Sequence, residues 1–139
     1  MTNRQSPYLI STLTSLLIMT ACTGGAQFGA VDLGELVVEG EVNPEYLYLQ
    51  LRQLDPTFEA CYVRALRQDR TAEGVIDLEI RGSGGKLTPE ITKNATGSEN
   101  LAECVTAAIA GLTIVEQDGS DPWDFSGDWS VTFEIIRRE

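Results

Sequence analysis

The sequence predicts an α+β domain: a three-stranded antiparallel sheet with two main helices packed on one face, in the order helix, strand, strand, helix, strand. Two stretches carry the strand signal. Ile76, Leu78 and Ile80 alternate with Asp77, Glu79 and Arg81, and Trp129, Val131, Phe133 and Ile135 alternate with Ser130, Thr132 and Glu134. Alternation of this kind places one face of a strand on a core and the other in water. Two other stretches have helical spacing. Phe58, Cys61, Tyr62, Ala65 and Leu66 share one helix face, as do Leu101, Cys104, Val105, Ala108 and Leu112.

The chain begins with a short basic start ending at Arg4, an apolar stretch from Leu9 to Ile18, and then Met19-Thr20-Ala21-Cys22. This pattern is that of a bacterial lipoprotein signal peptide, in which Cys22 becomes the lipidated first residue. Residues 1–21 are then a leader outside the fold. Thr23 rather than an acidic residue follows Cys22, which favours the outer membrane under the familiar sorting rule. Residues 22–35, rich in Gly and Ala, read as a flexible tether. The domain is expected over 36–139.

Within it, Leu36 to Val42 is compatible with a short strand but lacks clean alternation. Asn43-Pro44-Glu45 is a helix start: asparagine caps, proline suits the first turn and the acid complements the dipole. Asp55-Pro56 repeats the signal, predicting a helix from Pro44 to about Leu54 and a restart running to about Gln68. Gly74 opens the first strand, Gly82-Ser83-Gly84-Gly85 forms a turn, and Lys86–Lys93 returns as the second strand. Pro89 inside that strand confines it to a sheet edge, so the expected strand order is second, first, third. Ser98 caps a helix from Glu99 to about Ala110, with Gly111 as its stop.

The chain has three cysteines, Cys22, Cys61 and Cys104. With Cys22 lipidated, an even pair remains in an oxidising compartment, and a Cys61–Cys104 disulfide is the leading reading. The alternative is two separate buried thiols, because free cysteine packs as a small hydrophobe. A bridge closing a loop of about 44 residues contributes at most about 4 kcal/mol by loss of chain entropy in the unfolded state.

Composition excludes several functions. The chain carries 21 acidic and 10 basic residues, a net charge of −11; removing the leader, whose one charged residue is Arg4, takes this to −12. Such a surface repels phosphate backbones, so nucleic acid is not an expected partner. There is no histidine. Ser-His-Asp and Cys-His machinery and imidazole zinc sites are therefore impossible. Glu79 and Asp124 are the carboxylates to consider for an enzyme, but no recognisable spacing pairs them. Asp118, Asp121, Asp124 and Asp128 lie in an acidic loop whose spacing is not that of an EF-hand. It reads as a solvated loop with no metal, and no cofactor is expected. Trp123 and Phe125 in the same loop either cover the edge of the core or offer a partner an aromatic handle, packing being the favoured reading.

Three segments carry a family resemblance. Phe58-Glu-Ala-Cys61-Tyr62-Val-Arg64-Ala65-Leu66 contains a Cys-Tyr-x-Arg-Ala-Leu motif. Gly74–Ile80 followed by Gly84-Gly85-Lys86-Leu87 is a strand–glycine turn–strand unit. Leu101-Ala-Glu-Cys104-Val105 contains a Leu-x-x-Cys-Val motif. Together, over roughly Val38 to Ile136, these resemble the AgmX/PglI-type C-terminal domain, a branch of the TonB C-terminal-like fold. The resemblance implies a small α+β domain that binds envelope proteins, partly by adding a strand to an exposed edge, and a link to gliding or envelope machinery. It supplies no catalytic residues. The chain departs from the family in lacking its aromatic–proline run after Leu112 and an N-terminal transmembrane helix, so energy transduction is not implied.

The expectation is a lipid-anchored, non-enzymatic binding or scaffold module of the cell envelope. It would hold an envelope protein through the Lys86–Lys93 edge (Leu87, Pro89, Ile91) or the Trp123–Phe125 rim. The sequence leaves the oligomeric state open. The alternatives are a purely structural lipoprotein and, less favoured, a carboxylate-based enzyme.

Overall fold

The structure is a computed structural model and describes residues 28–115 and 124–137. The leader at 1–21, the lipidation position Cys22, and Asp118, Asp121 and Trp123 of the acidic loop lie outside the described residues. In chain order the elements are β1 (Phe28–Gly40), α1 (Pro44–Arg52), α2 (Asp55–Gln68), β2 (Gly74–Ser83), β3 (Lys86–Asn94), α3 (Glu99–Ala110) and β4 (Phe125–Ile136). The strands form one antiparallel sheet in the order β1-β4-β2-β3.

The α+β class stands, but the sheet has four strands, not three. The additional strand is β1, whose second half is the short strand expected at Leu36–Val42; it begins eight residues before the expected domain boundary, and residues 28–33, read as tether, pair with the distal half of β4. A bulge explains why its pattern is obscure. Val31 and Leu33 lie opposite Phe133 and Val131, which face the core, while Leu36 and Val38 lie opposite Trp129 and Gly127 on that same side. Gly34 and Glu35 together face the single residue Ser130, so the inward set changes from odd to even numbers midway. Gly34 is required there: a Cβ at this position would stand 2.5 Å from the Ser130 carbonyl oxygen. Two aromatic side chains pin the bulge. Trp129 Nε1–H donates to the Gly34 carbonyl at 2.9 Å, and the Tyr48 hydroxyl donates to the Leu33 carbonyl at 3.5 Å.

The helices start where their capping residues stand. The Asn43 side chain accepts from the amides of Glu45 and Tyr46, at 3.0 and 3.2 Å, and Ser98 Oγ accepts from Leu101 N at 3.1 Å. The Pro44–Gln68 region breaks at Gln53-Leu54 and restarts at Asp55. Gly111 follows the last residue of α3 with a right-handed φ of −80°, so that helix ends without a left-handed glycine cap. β2 and β3 are joined through Gly84 and Gly85 at φ of 59° and 84°, two adjacent positive values that suit a tight hairpin and glycine.

One face of the sheet and the three helices enclose the core. Leu47 and Leu51 of α1, Phe58, Cys61, Tyr62 and Ala65 of α2, and Leu101, Val105 and Ile109 of α3 pack over Ile76, Leu78, Ile80, Trp129, Val131 and Phe133. Phe58 meets Trp129 with ring centroids 5.9 Å apart, and Tyr62 meets Phe133 edge-on at 5.1 Å. The Tyr62 hydroxyl, buried in this layer, donates to the Ala72 carbonyl at 2.7 Å. The ring therefore fills the core without leaving an unpaired polar group.

Candidate functional site

The two helical faces read from the sequence bring Cys61 and Cys104 together. Each residue points from its helix toward the other, and they form a disulfide with a Cα–Cα distance of 5.8 Å across 43 residues of sequence. The bridge joins α2 to α3. Its two ends differ: Cys61 is 1% exposed, whereas Cys104 is partly open to solvent. A cavity of about 240 Å³ lies over the bridge, lined by Arg64, Ala65, Gln68 and Asn100 besides the cysteines. Arg64 Nη2 lies 3.2 Å from Cys104 Sγ, and Asn100 Nδ2 donates to Gln68 Oε1 at 2.5 Å. An incoming thiolate reaches Cys104 and would have to expel the buried Cys61 sulfur. The arrangement is that of a staple.

The second place is the outer edge of β3. Strand order puts β3 at the sheet margin, as Pro89 requires. Pro89 lies opposite Ile80 and has no N–H to give to β2, so its backbone faces outward, and alternation turns Leu87 and Ile91 the same way. Among the described residues the outer side of β3 pairs only at Lys86, through a bridge to Thr113; the Gly85 carbonyl beside it accepts from Ile114 N at 2.8 Å. The side chains proposed for contact are placed differently from the backbone. Leu87 is 4% exposed and packs in the core, and Pro89 and Ile91 are half-buried on the same helix-covered side. The edge therefore offers main-chain groups, not an apolar strip.

Phe125 is likewise no handle. It is buried at the start of β4, where its ring covers Gly82 so closely that a Cβ on that glycine would run into it. Of the two readings for this aromatic, packing holds. Its partner Trp123 lies outside the described residues.

On the face of the sheet away from the helices, β2, β3 and the middle of β4 are polar, while β1 and the end of β4 expose Phe28, Val37 and Ile136. Asp128 of β4 is opposite Glu79 of β2, which is opposite Glu90 of β3, giving three carboxylates in one cross-strand row. Arg81 Nε donates to Glu79 at 2.8 Å and Ser130 Oγ to Asp77 at 2.6 Å. Glu79 and Asp124 are not brought together, because the ladder separates Asp124 from Glu79's partner Asp128 by four residues, roughly 13 Å. Among the described residues no three Cys, Asp or Glu side chains are grouped so as to hold a metal ion.

The groups whose acidity is shifted have structural causes. Burial, followed by the nearby Glu73 carboxylate, pushes the Tyr62 hydroxyl up to about 12. Glu73 is held below the usual carboxylate range, first by the hydrogen bond from Arg137 and then by the Ile135 amide. Asp69 is lowered by hydrogen bonds from the Thr71 hydroxyl and amide. None of these lines either of the places described above. No described helix is long and apolar enough to cross a membrane. No protein-family model matches the chain, and comparison with curated proteins and with solved structures likewise finds no match.

Proposed function

We propose that this chain is a lipid-anchored protein of the bacterial cell envelope, held on the outer membrane through Cys22. Its TonB C-terminal-like domain, of the AgmX/PglI type, binds a partner protein without catalysing a reaction. The observation that carries this reading is the outer edge of β3, whose main-chain groups from Leu87 to Asn94 have no strand partner among the described residues. An extended peptide segment laid along it would gain hydrogen bonds without displacing any part of the fold. The Cys-Tyr-x-Arg-Ala-Leu and Leu-x-x-Cys-Val motifs support the family resemblance, and the apolar leader ending at Cys22 supports the anchor. The lack of histidine and the separation of Glu79 from Asp124 argue against an enzyme.

The experiment is cross-linking in intact cells from a photoreactive residue at Thr92, on the exposed side of β3. The wild-type chain should yield a discrete adduct with an envelope protein. Ile91→Pro removes an outward-facing N–H, leaves the β2 ladder intact and should abolish the adduct while Cys22 stays acylated and the disulfide stays formed. An adduct of unchanged yield would rule out strand addition at this edge. A chain that gives no adduct in any envelope fraction would favour the purely structural lipoprotein, a reading that Pro89 supports by removing one donor from the edge.

A further inference from the structure

We infer that the groove beside the β1 bulge binds a lysine side chain presented by a basic partner peptide. The groove lies between β1 and the start of α1, at the opposite edge of the sheet from β3. It has a volume of about 230 Å³ and is lined by Glu35, Leu36, Pro44, Glu45 and Tyr48. Leu36, Pro44 and Tyr48 supply an apolar wall of the kind that accepts the four methylenes of lysine. Glu35 and Glu45, both exposed, supply the charge at the rim, and neither is in an ion pair among the described residues.

The groove is built rather than incidental. Glu35 stands there because the bulge places it and Gly34 opposite one residue, and the bulge is fixed by Trp129 and by Tyr48, itself a wall of the groove. The nearby helix start does not offer an anion site in competition, because Asn43 already occupies the amides of Glu45 and Tyr46. A cation is therefore the complementary occupant. Lysine fits better than arginine: a compact ammonium can approach the carboxylates at the rim and the face of one tyrosine, whereas a guanidinium gains most from a planar bidentate partner. The chain does not itself fill this role with its described cations at the far end of β1. Arg137 lies near Phe28, about seven residues or roughly 23 Å from Glu35, and is bound to Glu73 at 2.9 Å.

The test is titration of the purified, isotopically labelled protein with an acetylated and amidated Gly-Gly-Lys-Gly-Gly peptide, followed by amide resonances. Counterparts carry norleucine or arginine at the centre. The lysine peptide should shift Leu33–Leu36 and Asn43–Tyr48, and the norleucine peptide should bind roughly tenfold more weakly or not at all. E35Q together with E45Q should weaken the lysine peptide by roughly tenfold and leave the norleucine peptide unchanged. Tyr48→Leu, which keeps an apolar wall, should weaken it by roughly threefold. Absence of shifts in these segments at saturating peptide, equal binding of the norleucine peptide, or full affinity in the double glutamine variant would overturn the proposal. Tighter binding of the arginine peptide would overturn the choice of lysine. The groove and the β3 edge are separate surfaces, so failure here leaves strand addition at β3 untouched, and the reverse also holds.

Discussion

On the helix-covered side of the sheet, β2 and β4 present Ile76, Leu78, Ile80, Trp129, Val131 and Phe133, all 2% exposed or less; on the other side the same two strands present Asp77, Glu79, Asp128 and Glu134 to solvent. Neighbouring residues on one strand thus obey opposite constraints. The covered side tolerates almost no change in volume, because each side chain is in contact with several others at close packing. The open side even tolerates like charges in register: Asp128, Glu79 and Glu90 occupy adjacent strands, where side chains directly opposite are about 5 Å apart at Cβ. The lesson is that stability resides in one face and the α2–α3 bridge, while the other face keeps an acidic surface at some cost in stability.

The sharpest way to break this comparison is to empty the covered side. Phe133→Ala removes a fully buried ring that meets Tyr62 and should lower stability by about 3–5 kcal/mol in denaturant unfolding. A loss below about 1 kcal/mol would mean the two faces are not so different. Replacing Cys61 and Cys104 together by alanine should cost about 2–4 kcal/mol and lower the melting temperature, with reduction of the wild-type chain giving a similar drop.

Tyr62 gives a pH-dependent version of the same contrast. Its hydroxyl ionises near 10 in the unfolded chain and near 12 in the fold, so folding favours the protonated form. Its contribution is complete below pH 10 and is lost as pH rises toward 12, amounting to roughly 2 kcal/mol over that interval. Tyr62→Phe should be less stable at neutral pH, through loss of the bond to Ala72, yet its stability should fall less steeply between pH 10 and 12. Parallel curves for the two proteins would contradict this. The smallest effect belongs to the open side. Glu90→Lys places a cation opposite Glu79 and should raise stability by about 0.5 kcal/mol, a gain that shrinks in high salt.

Much of the covered side was legible in the sequence because its periodicities are unbroken. The Phe58–Leu66 spacing led to the inward face of α2, the 129–135 alternation led to β4, and the inward positions of Cys61 and Cys104 led to their pairing. Pro89 marked its strand as an edge. β1 was legible only in its second half, where Leu36–Val42 is compatible with a short strand, and for a physical reason: the bulge at Gly34-Glu35 reverses the parity of its inward residues, so neither half is long enough to show clean alternation. Phe125 was rightly read as packing, but its place in β4 was hidden by its acidic, glycine-containing neighbours, which mask the start of an alternating pattern that extends back from Trp129. The groove at Glu35 and Tyr48 joins residues on two elements, one of them a strand read only in part, and no local pattern could announce it.

The pairing of β1 with β4 also bears on how the chain acquires its shape. Phe28 finds Ile136 across 108 residues, and each further register position of that ladder joins the same distant segments. Of the described elements β1 emerges first from any machinery that delivers the polypeptide in order, but its strand neighbour among the described residues, β4, is the last of those elements to be made. Until residues 125–136 arrive, β1 and the facing margin of β2 are both unsatisfied edges, open to wrong partners. The final zipping of β4 between them converts two exposed margins into the centre of the sheet in a single event. Non-local closure of this kind is slow compared with helix formation, so the vulnerable interval of this domain is set by the arrival of its last strand.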